Sequence, residues 1–368
     1  MKQCFGRYAV KRLGPVESEE HKLAMLKVIR AIYTNRSFQV RDAGCTSQPH
    51  GQAFGICQGC PLSPFLFTMV MTVLMHDAKQ SLRAHPAYAA SEEVVVEELL
   101  YADDTLLIHS NAEVVRLYMD FVRKAGQNYG LQLNWKKLVN MPVRCNAEFF
   151  SPDGTEIQRK QSFKYLGSML CSSGKTGTEL SCRLGAARKE FDNLCRVWSH
   201  TSLPKRKKMR IYEACVISKL MYSLETVWLN KAEILKLDAF HHRCLRRIAG
   251  IPPSYISRIL NETVRNTLQT LPLKNMLLQR QLVYLGSVAR RPSGNVLRDC
   301  IFNPSEISLR AAGGPRRKGR PRAAWAKELR HISLQVAGDE ASLASMWEGT
   351  PTSKSAWERA VHAHCSKL

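Results

Sequence analysis

The sequence predicts an α+β unit of antiparallel hairpins and helices, followed by helices alone. Three observations predict it. Up to about residue 172, helical three- and four-residue steps of apolar residues alternate with short strand-like runs. After Gly174 only the helical period remains. Beyond about 291 a stretch rich in Pro, Gly and Arg runs to Pro321 and then gives way to a last helical pattern. The expected divisions are therefore 1–172, 173–290 and 291–368. With 368 residues, 45% of them apolar, the chain can fill more than one core. That excludes disordered, collagen-like and small disulfide-scaffold classes.

Leu23, Leu26, Ile29 and Tyr33 predict a helix near Glu19–Tyr33. Phe38–Asp42 reads as a strand and Gly44–Gly59 as an irregular loop. Ser63-Pro64 reads as an N-cap with proline at the first helical position, opening a deeply buried helix to Arg83. Val94–Tyr101 and Thr105–His109 flank Ala102-Asp103-Asp104 as a hairpin. A helix over Ala112–Asn128, with Val114, Leu117, Phe121 and Ala125 inward, stops at Gly130. Leu131–Val143 and Glu148–Leu170 predict further hairpin strands, with Ser151-Pro152-Asp153-Gly154 as a turn.

Three helices follow, near Glu179–Trp198, after Pro204, and near Ala232–Ile248. Met209, Tyr212, Val216 and Leu220 line the second, and Leu237, Phe240, Cys244 and Ile248 the third. Trp325, Trp347 and Trp357 are expected in the core of a small terminal helical unit. Twelve cysteines predict buried thiols rather than disulfides. No cysteine or histidine cluster has zinc-site spacing: not Cys57/Cys60, not His241/His242/Cys244, and not His362/His364/Cys365.

Charge is uneven. Residues 1–170 hold 20 basic and 16 acidic residues, and residues 171–368 hold 34 and 15, within a total of +23. A long basic half predicts a polyanionic partner, nucleic acid before an anionic membrane surface. Candidate contacts are Arg243, Arg246, Arg247 and the run Lys205-Arg206-Lys207-Lys208. The run suits phosphate contact, nuclear import or a solvated helix end. Arg320, within Arg316–Arg322, resembles the Gly-Arg-Pro core of minor-groove peptides, with a flexible charged linker as the alternative. The longest apolar run, Phe65–Met75, is too short to span a bilayer, and no secretory leader is evident, so an intracellular, nuclear protein without a membrane partner is expected.

Tyr101-Ala102-Asp103-Asp104 carries the chemistry. Paired carboxylates at a hairpin turn can bind the hard divalent cations that clamp the attacking and leaving oxygens of phosphoryl transfer; a structural Asp-Asp turn is the alternative. Upstream, Gln58-Gly59-Cys60-Pro61-Leu62-Ser63-Pro64-Phe65-Leu66-Phe67 runs into a helix start that offers free N–H groups to a phosphate. In this order, with a buried helix between, the two motifs resemble the palm of non-LTR (LINE-like) retrotransposon reverse transcriptases.

That resemblance covers about 10–290 and implies a partial palm, a helical thumb and RNA-directed DNA synthesis on an RNA template and DNA primer. It implies that Asp103 and Asp104 hold Mg2+ or Mn2+, and that Lys137, in Gly130–Lys137, lies near the incoming triphosphate. It further implies that Gln58, Gly59, Pro61, Ser63, Tyr101 and Ala102 shape the nucleotide and template site. Tyr165, Leu166 and Gly167, within Phe163–Ser168, would form the primer grip. Phe240–Gly250 and Asn261–Arg265 resemble the thumb region.

The family's first metal-binding aspartate lies in a Phe-x-Asp-x-x-x-Ala-Phe segment, ahead of the part that Lys11–Val40 resembles. The chain is therefore expected to be an N-terminally truncated copy that does not polymerise alone. Asp42 and Asp77 do not substitute by motif. A non-catalytic nucleic-acid-binding protein derived from such an element is the second expectation.

Overall fold

The computed structural model describes residues 19–52, 55–56, 59–89, 98–200, 202–311 and 324–368. Gln58, Arg320 with the Arg316–Arg322 run, and the Val94–Glu97 start of the expected strand lie outside them. The chain is α+β, with helices predominating over short antiparallel ladders. It divides into two compact units: one reaches Leu138 and includes Ala147–Ile157, and the other holds Val139–Asn146 and Gln158–Leu368.

In the first unit, α1 (Glu19–Tyr33) buries Ile29 against Leu66, at the start of α2 (Ser63–Arg83). Further along, Leu74, Met75, Ala78 and Leu82 of α2 pack on Val114, Tyr118, Val122 and Ala125 of α3 (Ala112–Asn128). Asn111 caps α3 by accepting the Glu113 N–H at 2.8 Å. One face of α2 is buried rather than most of it, since Phe65 is 67% exposed. Ser63 is not the N-cap. It is the first helical residue, buried, with its hydroxyl 3.0 Å from the Tyr33 phenol, so that oxygen serves α1 instead of the helix end.

The expected loop at Gly44–Gly59 contains strand partners. β1 (Ser37–Phe38) pairs with β4 (His50–Gly51), and β2 (Arg41–Asp42) with β3 (Cys45–Thr46). β5 (Glu98–Tyr101) and β6 (Asp104–Leu107) form the expected hairpin. Its base is anchored at Glu98, whose carboxylate accepts from Lys79 and from the Tyr118 hydroxyl, each at 3.0 Å. Leu131–Val143 is not a strand: a short 3-10 turn, Trp135–Lys137, and a single bridge, Asn140 to Arg159, replace it.

In the second unit, β7 (Ser162–Tyr165) and β8 (Ser168–Cys171) form a hairpin. Its helices include α4 (Gly177–Asn193), α5 (Lys205–Ile211), α6 (Ser218–Met221), α7 (Lys231–Ala249), α8 (Asn261–Leu268) and α9 (Leu273–Ala289). A wider π-type turn, Tyr212–Ile217, joins α5 to α6. The inward faces read from sequence are buried: Tyr212, Val216, Leu220 and Leu237 are 0% exposed. Asn230 and Glu233 close a reciprocal capping box on α7, and Gly250 ends it at φ +72°.

A second cluster joins α9 to α10 (Trp325–Ala337), α11 (Glu340–Met346) and α12 (Pro351–Lys367). Trp347 and Trp357 are buried there, and Trp357 Nε1 donates to the Leu282 carbonyl at 3.0 Å. A Cβ on Gly286 would lie 2.4 Å from that Nε1. Gly286→Ala is thus expected to destabilise the chain by about 1–3 kcal/mol through overpacking, measured as a lowered urea midpoint. Ten described cysteines are free thiols, but only Cys244 and Cys365 are buried, because most of the others sit on exposed loops or outward helix faces.

Candidate functional site

Tyr101 and Asp104 are directly paired across the β5–β6 ladder, so Ala102 and Asp103 form a two-residue loop. Ala102 takes φ +52°, a left-handed conformation that costs a residue with a Cβ about 1–2 kcal/mol. The four residues are exposed, Tyr101 to 65%. Among the described residues β5 pairs with β6 alone. Leu99 and Leu100 are 41% and 42% exposed, an unusual degree for the apolar residues of a strand.

Lys137 is exposed and belongs to the same unit as the acidic turn. So does the segment leading into α2, where Gly59 takes φ +87° with open space around its missing Cβ. Backbone conformation, rather than close packing, therefore requires that glycine. Pro61 is exposed. The Cys60 thiol is held below its ordinary value, chiefly by the Leu62 N–H and further by the Ser63 N–H. Amide donors at the head of α2 thus already favour negative charge.

The donor set for cations is short. Asp42 sits in the β2–β3 pair, and Asp77 accepts from the Tyr129 hydroxyl at 2.7 Å. Among the described residues no three His, Cys, Asp or Glu side chains gather as a cation centre requires. Two adjacent, water-exposed carboxylates do not by themselves fit a complete two-cation centre.

In the second unit, Lys205, Arg206, Lys207, Arg243 and Arg247 are exposed. Arg247 lies 3.8 Å from Asp192. Two of the expected nucleic-acid contacts are turned inward. Lys208 is 7% exposed and donates to the Trp198 carbonyl at 2.7 Å. Arg246 is 6% exposed and spends its guanidinium on Pro252, Ser257, Ile259 and Asn261. Arg210, which the sequence reading passed over, is exposed and lines a cavity of about 270 Å³ together with Lys205, Arg206, Glu213, Thr267 and Gln269.

Tyr165, Leu166 and Gly167 lie at the β7–β8 turn, where Leu166 takes φ +47° and Gly167 φ +83°. Glu179, Arg183 and Tyr222 surround this turn and were not anticipated. The Glu179–Arg183 pair was legible as an i, i+4 pair on a helix, whereas nothing near Tyr222 in the sequence signalled it.

Residues 15–170 match the family described as "Reverse transcriptase (RNA-dependent DNA polymerase)". Over 307 residues, 77% of this chain and 31% of the relative, the chain is 24% identical to the RNA-directed DNA polymerase from mobile element jockey of Drosophila melanogaster. The chain is related to the reverse transcriptases of non-LTR retrotransposons. A second relative is the Pol polyprotein from the type-1 retrotransposable element R2 of Popillia japonica, 29% identical over 46% of this chain and 24% of the relative. A transposon-derived protein of Caenorhabditis elegans is 25% identical over 53% of this chain and 72% of its own length. The chain thus spans about a quarter to a third of the length of its jockey and R2 relatives. Among the described residues no helix is long and apolar enough to cross a membrane.

Proposed function

We propose that the chain serves RNA-directed DNA synthesis in a non-LTR retrotransposon, with an RNA template and a DNA primer as its partners and the nucleus as its place of work. The first unit acts as a partial palm and the helices of the second as a thumb. The observation that carries this reading is the strained, exposed Tyr101–Asp104 turn within a segment that matches reverse transcriptases. Asp103 and Asp104 would offer one edge of a Mg2+ or Mn2+ centre, which supplies charge neutralisation at the transferring phosphoryl group. Lys137 and the α2 head would meet the triphosphate, and Tyr165–Gly167 the primer end. Lys205, Arg206, Lys207, Arg210, Arg243 and Arg247 would follow the hybrid backbone.

A second reading, nucleic-acid binding without synthesis, is favoured by the short donor set. Both readings require binding of an RNA–DNA hybrid that weakens steeply with salt. Six phosphate contacts give a log–log slope of roughly −5, measurable by fluorescence anisotropy on the full chain. Primer extension on an RNA template with Mg2+ or Mn2+ separates them. Synthesis that Asp103→Ala lowers by at least about a hundredfold, or some 3 kcal/mol of barrier, supports the first. Binding with no synthesis supports the second, and salt-insensitive or absent binding overturns both.

A further inference from the structure

The β7–β8 turn is more tightly held than a surface hairpin tip requires. A two-residue hairpin loop leaves its own carbonyls outside the ladder, normally to water. Here each is captured by a side chain. The Tyr222 hydroxyl donates to the Leu166 carbonyl at 2.7 Å, and Arg183 Nη2 donates to the Gly167 carbonyl.

The two donors are themselves fixed. The Arg183 guanidinium lies 4.5 Å from the centre of the Tyr222 ring, a cation–π contact. Its Nε donates to Glu179 Oε1, while the other oxygen of that buried carboxylate accepts the Met169 N–H at 2.6 Å, one residue into β8. One helix, α4, and the residue that follows α6 therefore grip the tip from two sides. Leu166 nevertheless remains 37% exposed, so the tip is rigid and still open to a ligand.

We infer that Glu179, Arg183 and Tyr222 are positioning residues: they set the height and angle at which Tyr165–Gly167 meets the 3′ end of a primer strand. This rests on the reading of that turn as the primer seat. A pre-set tip would bind a recessed 3′ end without first losing conformational entropy, which is the ordinary advantage of a pre-organised contact. The helices that hold the tip would then report their own placement directly to the primer end.

The test uses the full chain and two variants. Tyr222→Phe removes one hydroxyl and keeps the ring under Arg183; Arg183→Gln removes the fork and the charge. Anisotropy compares an RNA–DNA hybrid bearing a recessed DNA 3′ end with a blunt hybrid of equal length, while hydrogen exchange follows the 163–171 amides. The wild-type chain is expected to prefer the recessed end. Tyr222→Phe should shrink that preference about fivefold, the worth of one hydrogen bond, and Arg183→Gln by tenfold or more. Blunt-hybrid affinity and the urea midpoint of Tyr222→Phe should stay close to wild type, with faster exchange confined to the hairpin.

A preference retained by both variants, despite faster exchange at the tip, overturns the positioning role alone. Hybrid binding by the wild type with no preference for the recessed end overturns the primer-seat reading, and this inference with it.

Discussion

Below pH 6.5 the helical unit is expected to lose stability continuously, by about 2 kcal/mol at pH 5 and about 3 kcal/mol at pH 4, through His241 alone. His241 is 1% exposed. Its Nε2–H donates to the Leu271 carbonyl at 3.3 Å, so its Nδ1 accepts the Tyr212 hydroxyl at 2.9 Å. The folded ring is neutral on this pattern. Burial, and next the neighbouring His242, depress its pKa from 6.5 to about 3. Between these two values the unfolded chain binds a proton that the folded chain refuses. Stability is therefore complete above pH 6.5 and drains away as pH falls towards 3. His242, lowered by burial and then by Arg265, adds in the same direction.

Urea midpoints measured across pH 7 to 4 check this. His241→Asn supplies a non-titrating oxygen that accepts from Tyr212. It should be less stable at pH 7, yet its pH slope should be shallower than wild type by about one proton, some 1.4 kcal/mol per pH unit. Equal slopes in the two proteins would sink the assignment.

Arg246→Ala is expected to cost about 2–4 kcal/mol and to release the segment 252–260 to proteolysis. Every guanidinium N–H of Arg246 is engaged. Nε and Nη2 share Asn261 Oδ1 at 3.3 and 2.9 Å, Nη2 also donates to Ile259 at 2.6 Å, and Nη1 donates to Pro252 and Ser257 at 3.1 Å each. No carboxylate is among these partners. The position in the last turn of α7 supplies a favourable dipole instead. The loop it ties down presents Tyr255, Ile256 and Leu260 at 81%, 61% and 70% exposure, so little apolar burial would retain it. Arg246→Lys, with three donors and no planar fork, should recover only part of the loss. The salt slope for hybrid binding should be unchanged in both variants, which separates this buried cation from the exposed Arg243 and Arg247.

What the sequence made legible follows from periodicity. The inward faces of the second unit's helices could be counted off, because a helix that buries one stripe writes it at fixed spacing, as at Leu237, Phe240, Cys244 and Ile248; in α1 only Ile29 of the expected stripe is buried and Leu23 is 52% exposed. The acidic turn could be found because its residues are contiguous. Contacts between distant residues leave no such record. Ser63 looks like a cap until Tyr33 claims its hydroxyl, and Arg246 looks like surface charge until the loop after α7 folds over it. The side chains that hold the β7–β8 turn were silent too, because strand pattern names a partner strand and not the helix beneath. Two-residue strands such as β3 and β4, with exposed residues throughout, carry no alternation to detect.

The wide turn between α5 and α6 has a consequence for how chain length can vary. A π-type turn holds one residue more than a regular one, and the helix on either side keeps its phase. Removal of a single residue within Tyr212–Ile217 would close the turn to ordinary pitch and leave Leu220 and Tyr222 facing as before. A deletion elsewhere in 205–221 would swing them by about 100° around the axis. At this one place the helix can lose a residue while the grip on the hairpin stays in register.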